Sequence, residues 1–218
     1  KANYEISPLE GIKKRFKNAS IIFSKGYTSE DTNQSRKSLI NEALVTASMA
    51  DVVLFFGGLN KNRGQDCEAA DREELKLPYN QDYLIAELQK VNPNIGVVLV
   101  SGNAVSMPWI YDVKTVFQAW YLGSEAGNAI ADIISGDSNP SGKLPFSFPV
   151  KLSDNSAHFF GELSYPGDGE TQYYKDDILV GYRWHDTKDI RPLFSFGHGL
   201  SYSSFEITDI KSDKKIYE

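Results

Sequence analysis

The chain has 218 residues, of which 41% are apolar and 24% are charged, and its formal net charge is −6 at pH 7. This length and composition allow one large domain with a sizeable core and argue against disorder. The acidic balance argues against nucleic-acid binding, which needs a basic face, and no apolar run approaches the ~20 residues that cross a bilayer.

The first half of the chain alternates helical and strand patterns, as a parallel sheet requires. Ser7 as a cap and Pro8 at the first helical position predict a helix with Leu9, Ile12 and Phe16 on one face. The patterns that follow predict a strand, a helix, a strand, a helix, two strands and a helix, in that order, at residues 20–24, 36–49, 51–56, 81–91, 96–101, 113–120 and 125–134. Strands with unbroken apolar runs are buried on both faces, so we expect an α/β fold, a three-layer sandwich with a mostly parallel β-sheet. A doubly wound domain usually opens with a strand, so the first strand of this one is expected to be missing.

The character of the chain changes after residue 134. Residues 135–142 form a turn-rich cluster, and two prolines restrict residues 143–149 to edge or irregular structure. Residues 150–177 are expected to be mostly loop, which predicts an irregular C-terminal extension. We place the α/β sandwich domain at residues 1–206 and a linker, or the start of a following domain, at residues 207–218.

The charged loop, residues 58–78, follows the predicted strand at residues 51–56. In open parallel sheets ligands gather beyond the carboxyl ends of the strands, and this loop leaves from such an end. Three interpretations are open: a solvated loop, a metal site, or a positioned general acid. The loop has five acidic side chains that could supply metal-binding oxygens: Asp66, Glu68, Asp71, Glu73 and Glu74. They do not alternate along the loop around a central glycine, as the acidic residues of a calcium loop do.

Several other chemistries are not indicated. Gly57 and Gly58 lack the rest of a phosphate-binding motif, and Ser101 lacks the Gly-x-Ser-x-Gly pattern of a serine hydrolase. Cys67 is the single cysteine, so no internal disulfide is possible. The three histidines are too dispersed for a metal-ligand spacing: His158, His185 and His198.

Six stretches of the chain resemble, in order, the landmarks of one enzyme family. The first is EAADR at residues 68–72, which follows ADVVLFFGGLN at residues 50–60. The others are VSGNAVSMPW (100–109), AWYLGSEAGNAIAD (119–132), NPSGKLP with a later FP (139–149), VGYR (180–183) and PLFSFGHGLSY (192–202). Together they resemble the C-terminal α/β sandwich domain of glycoside hydrolase family three, a family of β-glucosidases and β-xylosidases.

The resemblance implies a division of labour between domains. An N-terminal barrel domain, absent from this chain, would carry the nucleophilic aspartate, and the sandwich domain would supply the general acid/base from a loop. Residues 207–218 would lead into a fibronectin-like domain. We therefore interpret the chain as a fragment that is inactive alone, with no metal or organic cofactor. Its parent would be periplasmic or secreted by family expectation, although residues 1–6 show no signal-peptide pattern.

Glu68 matches the position of the family's acid/base, and Asp66 is the rival acid. Asp71 and Arg72 are expected to pair with each other or with the backbone of the charged loop. Ala69 stands where the family prefers glycine, so a positive φ at this position would strain the alanine.

The resemblance thus implies a retaining, exo-acting β-glucosidase that hydrolyses terminal β-D-glucosyl residues of oligosaccharides or aryl β-glucosides. Two alternatives stay open. One is a β-xylosidase or another exo-glycosidase of the same family, since sugar preference is set largely by barrel residues. The other is a non-catalytic domain for carbohydrate binding or assembly, in which Glu68 is a surface charge.

Overall fold

The computed structural model of the protein describes residues 3–29 and 33–213. Its sheet has three parallel strands in the order β1-β2-β3, where β1 is Val53–Gly58, β2 is Ile95–Val100 and β3 is Thr115–Gln118. The register pairs Val53 with Ile95 and Gly96 with Thr115. The three strands predicted from buried apolar runs therefore form, and all pair in parallel.

Six α-helices are present in the described part of the chain. They are α1 (Pro8–Arg15), α2 (Asn33–Ser48), α3 (Gln81–Val91), α4 (Ala126–Ser135), α5 (Ser156–Phe159) and α6 (Tyr182–Lys188). Helix α1 begins as predicted, because Ser7 Oγ accepts from the backbone N–H of Glu10 and the Glu10 carboxylate accepts from the backbone N–H of Ser7.

Helices cover both faces of the sheet. Successive side chains of a strand point to opposite faces, so each central strand contributes to two cores. Val97 and Leu99 of β2 are fully buried in a core with residues of α2 and α3, including Leu84. Val98, also fully buried, packs with Ile130 of α4 on the other face. The predicted three-layer α/β sandwich is confirmed.

The strand predicted at residues 20–24 is wrong. These residues have no regular secondary structure and pair with no strand among the residues that the structure describes. Ile22 and Phe23 are 61% and 63% exposed. A strand needs a neighbour for its backbone N–H and C=O groups, and an apolar run cannot show whether one is present.

The C-terminal part is irregular, as predicted. Its aromatic side chains form a cluster against the sheet domain, in which Phe148 stacks on Phe146 and meets Phe194 and Trp120 edge to face. The predicted loop at residues 150–177 contains the short helix α5 and a 3₁₀ turn at Leu152–Asp154. No helix in the described ranges has the length and apolar character needed to cross a membrane.

Candidate active site

The two ends of the charged loop are tied to the first two residues of α3. Gln81, which is 1% exposed, accepts from the backbone N–H of Gly58 at 2.7 Å and donates to its carbonyl oxygen at 2.9 Å. Asp82 accepts from the backbone N–H of Leu77 at 3.1 Å and from Trp109 Nε1 at 2.8 Å. Burial raises the pKa of Asp82 above its ordinary value, and these bonds offset only part of that effect. The loop therefore leaves and rejoins the fold at fixed points.

Asp66 holds the middle of the charged loop. Its Oδ2 accepts from the backbone N–H of Gly102 at 2.6 Å and from Tyr121 Oη at 2.7 Å, and its Oδ1 accepts from Asn103 Nδ2 at 3.0 Å. Burial alone would raise the pKa of Asp66, but these three bonds and the charge of Arg72 lower it below its ordinary value. Asp66 is therefore an ionised carboxylate whose oxygens are occupied.

The same contact shifts the pKa of Tyr121 in the opposite direction. Burial, the hydrogen bond to Asp66 and the charge of that carboxylate raise the pKa of Tyr121 to about 12. Its hydroxyl therefore stays protonated and serves as a donor to Asp66.

A cleft of about 750 Å³ lies between the charged loop and the C-terminal extension. One wall includes Asp66 and Arg72, and the other includes His158, Tyr165 and Trp184. Sites that bind small molecules are commonly clefts of this size with aromatic and polar walls. Gly102 and Asn103, which follow β2, also line the cleft, so it opens at the carboxyl edge of the sheet.

The apex of the charged loop is a tight turn over residues 67–70. Cys67 and Ala70 form an isolated antiparallel bridge, and Cys67 Sγ lies 3.5 Å from the carbonyl oxygen of Ala70. Ala69, the third residue of the turn, has φ 62°. This left-handed conformation favours glycine, so the alanine is strained, which is the condition that the sequence raised.

Glu68 is the second residue of this turn and is exposed to solvent. Its carboxylate makes no hydrogen bond or ion pair with the residues that the structure describes. It does not line the cleft, whereas Cys67 and Ala70 on either side of the turn do. The loop thus presents one carboxylate outward at its apex and holds another, Asp66, inward.

The expected pairing of Asp71 with Arg72 or with their own loop is not found. Asp71 accepts a hydrogen bond from Tyr165 Oη, and Arg72 Nη1 donates to the carbonyl oxygen of Ala104 at 2.8 Å. The other guanidinium nitrogen, Nη2, is buried without a partner among the described residues. The two side chains therefore tie the loop to two different segments of the fold.

Each of the three histidines packs against residues near it in sequence or in the fold. The His158 ring packs at a tilt against Tyr165 with 4.8 Å between ring centroids, and burial lowers the pKa of His158 below its ordinary value. His185 Nδ1 lies 2.9 Å from the carbonyl oxygen of Ile190. Within residues 3–29 and 33–213, no group of three His, Cys, Asp or Glu side chains has an arrangement that could hold a metal ion.

Sequence reasoning missed the side chains that hold the loop. Asn103 follows β2 and Tyr121 follows β3, just as Asp66 follows β1. The carboxyl ends of neighbouring parallel strands lie at one edge of a sheet, so their common position after three strands was a signal that was available.

The parallel sheet is covered by helices on both faces, and three consecutive loops are joined at its carboxyl edge. This arrangement defines an α/β sandwich domain. Residues 1–202 match the model of one protein family, which is described as "Glycosyl hydrolase family 3 C-terminal domain". The chain belongs to this family, and the resemblance of its six motifs is confirmed.

Two relatives of the chain are β-glucosidases by name. It is 53% identical over 210 residues to beta-glucosidase BoGH3A of Bacteroides ovatus, covering 92% of this chain and 28% of that protein. It is 45% identical over 196 residues to thermostable beta-glucosidase B of Acetivibrio thermocellus, covering 90% of this chain and 25% of that protein. The chain therefore spans about a quarter of the length of these two relatives.

Solved structures show the same fold. A GH3 β-glucosidase of Bifidobacterium adolescentis superposes with a TM-score of 0.82 at 35% identity, covering 93% of this chain and 29% of that one. A β-glucosidase of Kluyveromyces marxianus in complex with glucose superposes with a TM-score of 0.74 at 39% identity, covering 81% of this chain and 21% of that one.

Proposed function

We propose that this chain is the acid/base-bearing domain of a retaining, exo-acting β-glucosidase, and that Glu68 is the acid/base. The substrates are terminal β-D-glucosyl residues of oligosaccharides or aryl β-glucosides. One observation carries the proposal: Glu68 is an unpaired, outward-facing carboxylate at the apex of a loop anchored along its length, in a chain 53% identical to a β-glucosidase.

The chemistry requires a second carboxyl group. In a retaining glycosidase the two groups lie about 5 to 5.5 Å apart; one attacks the anomeric carbon, while the other protonates the leaving oxygen and later activates water. Glu68 supplies the proton transfers, and the nucleophile comes from the N-terminal barrel domain of the same parent protein. This chain alone is therefore inactive.

Asp66, the rival acid, is less suited to the role. A general acid must be protonated near the working pH and must face the departing oxygen. The pKa of Asp66 is lowered below its ordinary value, and both of its oxygens already accept hydrogen bonds. The carboxylate of Glu68 makes no hydrogen bond with the described residues and is exposed, so it is free to face a substrate.

The parent protein is proposed to act outside the cytoplasm, in the periplasm or as a secreted enzyme. We also propose that residues 207–218 form a linker or the start of a fibronectin-like domain. The described residues at this end support a linker, because Ile207 and Ile210 are 86% and 90% exposed and no regular structure follows α6.

The test uses the parent enzyme with Glu68→Ala, assayed on 2,4-dinitrophenyl β-glucoside and on an unactivated glucoside, with and without azide. The dinitrophenolate leaves without an acid, so the glycosyl-enzyme still forms, whereas hydrolysis of the unactivated substrate falls by about 10²-fold or more. Azide replaces the base-activated water, restores turnover and gives β-glucosyl azide.

Glu73→Ala is the matched control, because Glu73 is exposed in the same loop. It should behave as the wild type on both substrates. If Glu68→Ala also keeps wild-type rates, Glu68 is a surface charge and the proposal is wrong. A panel of aryl glucosides and xylosides on the same enzyme separates a β-glucosidase from a β-xylosidase.

A further inference from the structure

Three hydrogen-bond donors from two different loops converge on the Asp66 carboxylate. Gly102 and Asn103 belong to the loop after β2, and Tyr121 follows β3. Asp66 belongs to the loop after β1, so its carboxylate joins the three consecutive loops at the carboxyl edge of the sheet. Bonds of this kind to an ionised acceptor are stronger than bonds between neutral groups.

Two of the three donors are restrained by their neighbours. Tyr121 follows Trp120, whose ring packs edge-on against Phe146 and Phe148 at centroid distances of 5.7 and 6.3 Å. A Cβ atom on Gly102 would lie 3.0 Å from the ring of Tyr121 and 3.3 Å from Asp66 Oδ2, so the close approach depends on a residue without a side chain. Asp66 is therefore bonded to residues that directly follow two strands of the sheet.

The turn that carries Glu68 has few restraints of its own. Within residues 67–70 the structure shows only the Cys67–Ala70 bridge, which holds the turn together but attaches it to nothing else. Glu68 lies two residues after Asp66, so their Cα atoms are separated by at most about 7 Å of extended chain. The bonds of Asp66 therefore hold the chain just before the turn, while those of Asp71 and Arg72 hold the chain after it.

We infer that Asp66 is a positioning residue that fixes the location of Glu68. This inference rests on the proposed function of Glu68. Asp66 transfers no proton itself; its ionised carboxylate holds the turn by accepting from Gly102, Asn103 and Tyr121 at 2.6, 3.0 and 2.7 Å. An acid/base displaced by ~1 Å loses up to ~10²-fold in rate while substrate binding persists.

The test compares Asp66→Asn, Tyr121→Phe and Glu73→Gln in the parent enzyme. Asparagine keeps the shape of the side chain but places an NH₂ group where at least one donor now points. We expect kcat on an unactivated glucoside to fall ~10- to 100-fold with KM unchanged, because proton transfer and not binding is impaired. The rate of glycosyl-enzyme formation from the dinitrophenyl glucoside should stay within ~2-fold of wild type, since that step needs no acid.

Tyr121→Phe removes one donor of the three and should show the same selective loss at a smaller size. It also keeps the inference testable if Asp66→Asn does not fold. Glu73→Gln removes an equal charge from the same loop and should match the wild type on both substrates.

Three other results would overturn the inference. Equal losses on both substrates, with a lower Tm, would show that Asp66 only stabilises the fold, and would overturn the inference. Wild-type kinetics in Asp66→Asn would overturn it as well, even if Glu68→Ala is rescued by azide and the proposed function stands. If azide rescues Asp66→Ala and Glu68→Ala is active, Asp66 is the acid, and both proposals are wrong.

Discussion

Gly11 of α1 lies directly against Gly127 of α4. A Cβ atom on Gly11 would lie 2.0 Å from the carbonyl oxygen of Gly127, and one on Gly127 would lie 2.1 Å from the carbonyl oxygen of Ser7. The two helices make this contact because neither residue has a side chain. The salt bridge between Arg15 and Asp137 joins the other ends of the pair.

Gly127→Ala should therefore separate α1 from α4. The displaced atoms include backbone, which cannot rotate away, so we expect a loss of about 3 kcal/mol in stability. Thermal unfolding of the protein measures it. Gly142→Ala is the control, because a Cβ atom there meets nothing within 4 Å. Equal Tm values for the two variants would contradict the close contact.

Gln81→Met tests the anchor at the start of the charged loop. The substitution keeps the volume of a buried side chain but leaves the backbone N–H and C=O of Gly58 without partners. Unsatisfied buried groups cost about 1 to 3 kcal/mol each, so we expect a loss of about 3 kcal/mol, measured by chemical denaturation.

The matched control is Gln89→Met in the same helix, where the side chain is only partly buried and the structure shows no hydrogen bond for it. It should cost less than about 0.5 kcal/mol, as ordinary surface substitutions do. A similar loss in both variants would mean that the Gln81 amide contributes nothing.

Ala69→Gly should relieve strain in the turn that carries Glu68. Alanine at φ 62° is disfavoured by about 1 kcal/mol, and glycine removes this strain. Glycine also has more freedom in the unfolded chain, which offsets part of the gain in stability. Ala70→Gly has the same unfolded-state cost without the relief, because the φ of Ala70 is not positive. The first variant should therefore be the more stable by about 1 kcal/mol, and the opposite order in chemical denaturation would exclude strain at Ala69.

Tyr121 predicts an alkaline limit to the Asp66 contact. Its folded pKa is raised from 10.0 to about 12, so its contribution to stability is complete below pH 10 and is lost as the pH rises through the folded value. The Tm difference between the wild type and Tyr121→Phe should be constant from neutral pH to pH 10 and should shrink toward pH 12. Tyr111→Phe, at a side chain that is 93% exposed, is the control and should shift Tm at no pH in this range. A wild-type advantage over Tyr121→Phe that persists unchanged at pH 12 would exclude the contact as its source.

Local pattern was sufficient for the elements with strong periodicity and buried runs. Helix α3 was predicted with the bounds it has, Gln81–Val91, and the runs of β1 and β2 identified buried strands to within two residues. It failed at residues 20–24, where pairing and not apolar content decides whether a strand forms.

The roles of the carboxylates in the charged loop depend on contacts that are distant in sequence. The donors to Asp66 lie 36, 37 and 55 positions away in the sequence. No local pattern therefore distinguishes the hydrogen-bonded carboxylate of Asp66 from the exposed carboxylate of Glu68. The same holds for Asp71, whose donor Tyr165 lies 94 positions away. The motif predicts which carboxylate is the candidate acid/base, but it does not predict which side chains support it.

The sequential order of the strands has a consequence for recombination between homologous enzymes. Because β1, β2 and β3 are neighbours in both chain and sheet, Asp66 and all three of its donors lie in one uninterrupted block, residues 53–121. Exchange of that whole block would transfer the loop together with the donors to Asp66. The hydrogen bond from Tyr165 to Asp71 would then be the contact that crosses the boundary of the block and must be kept compatible. Exchange of residues 58–78 alone would place the charged loop beside donors from a different enzyme. The ends of the block, residues 53 and 121, are therefore the better crossover points for chimeras.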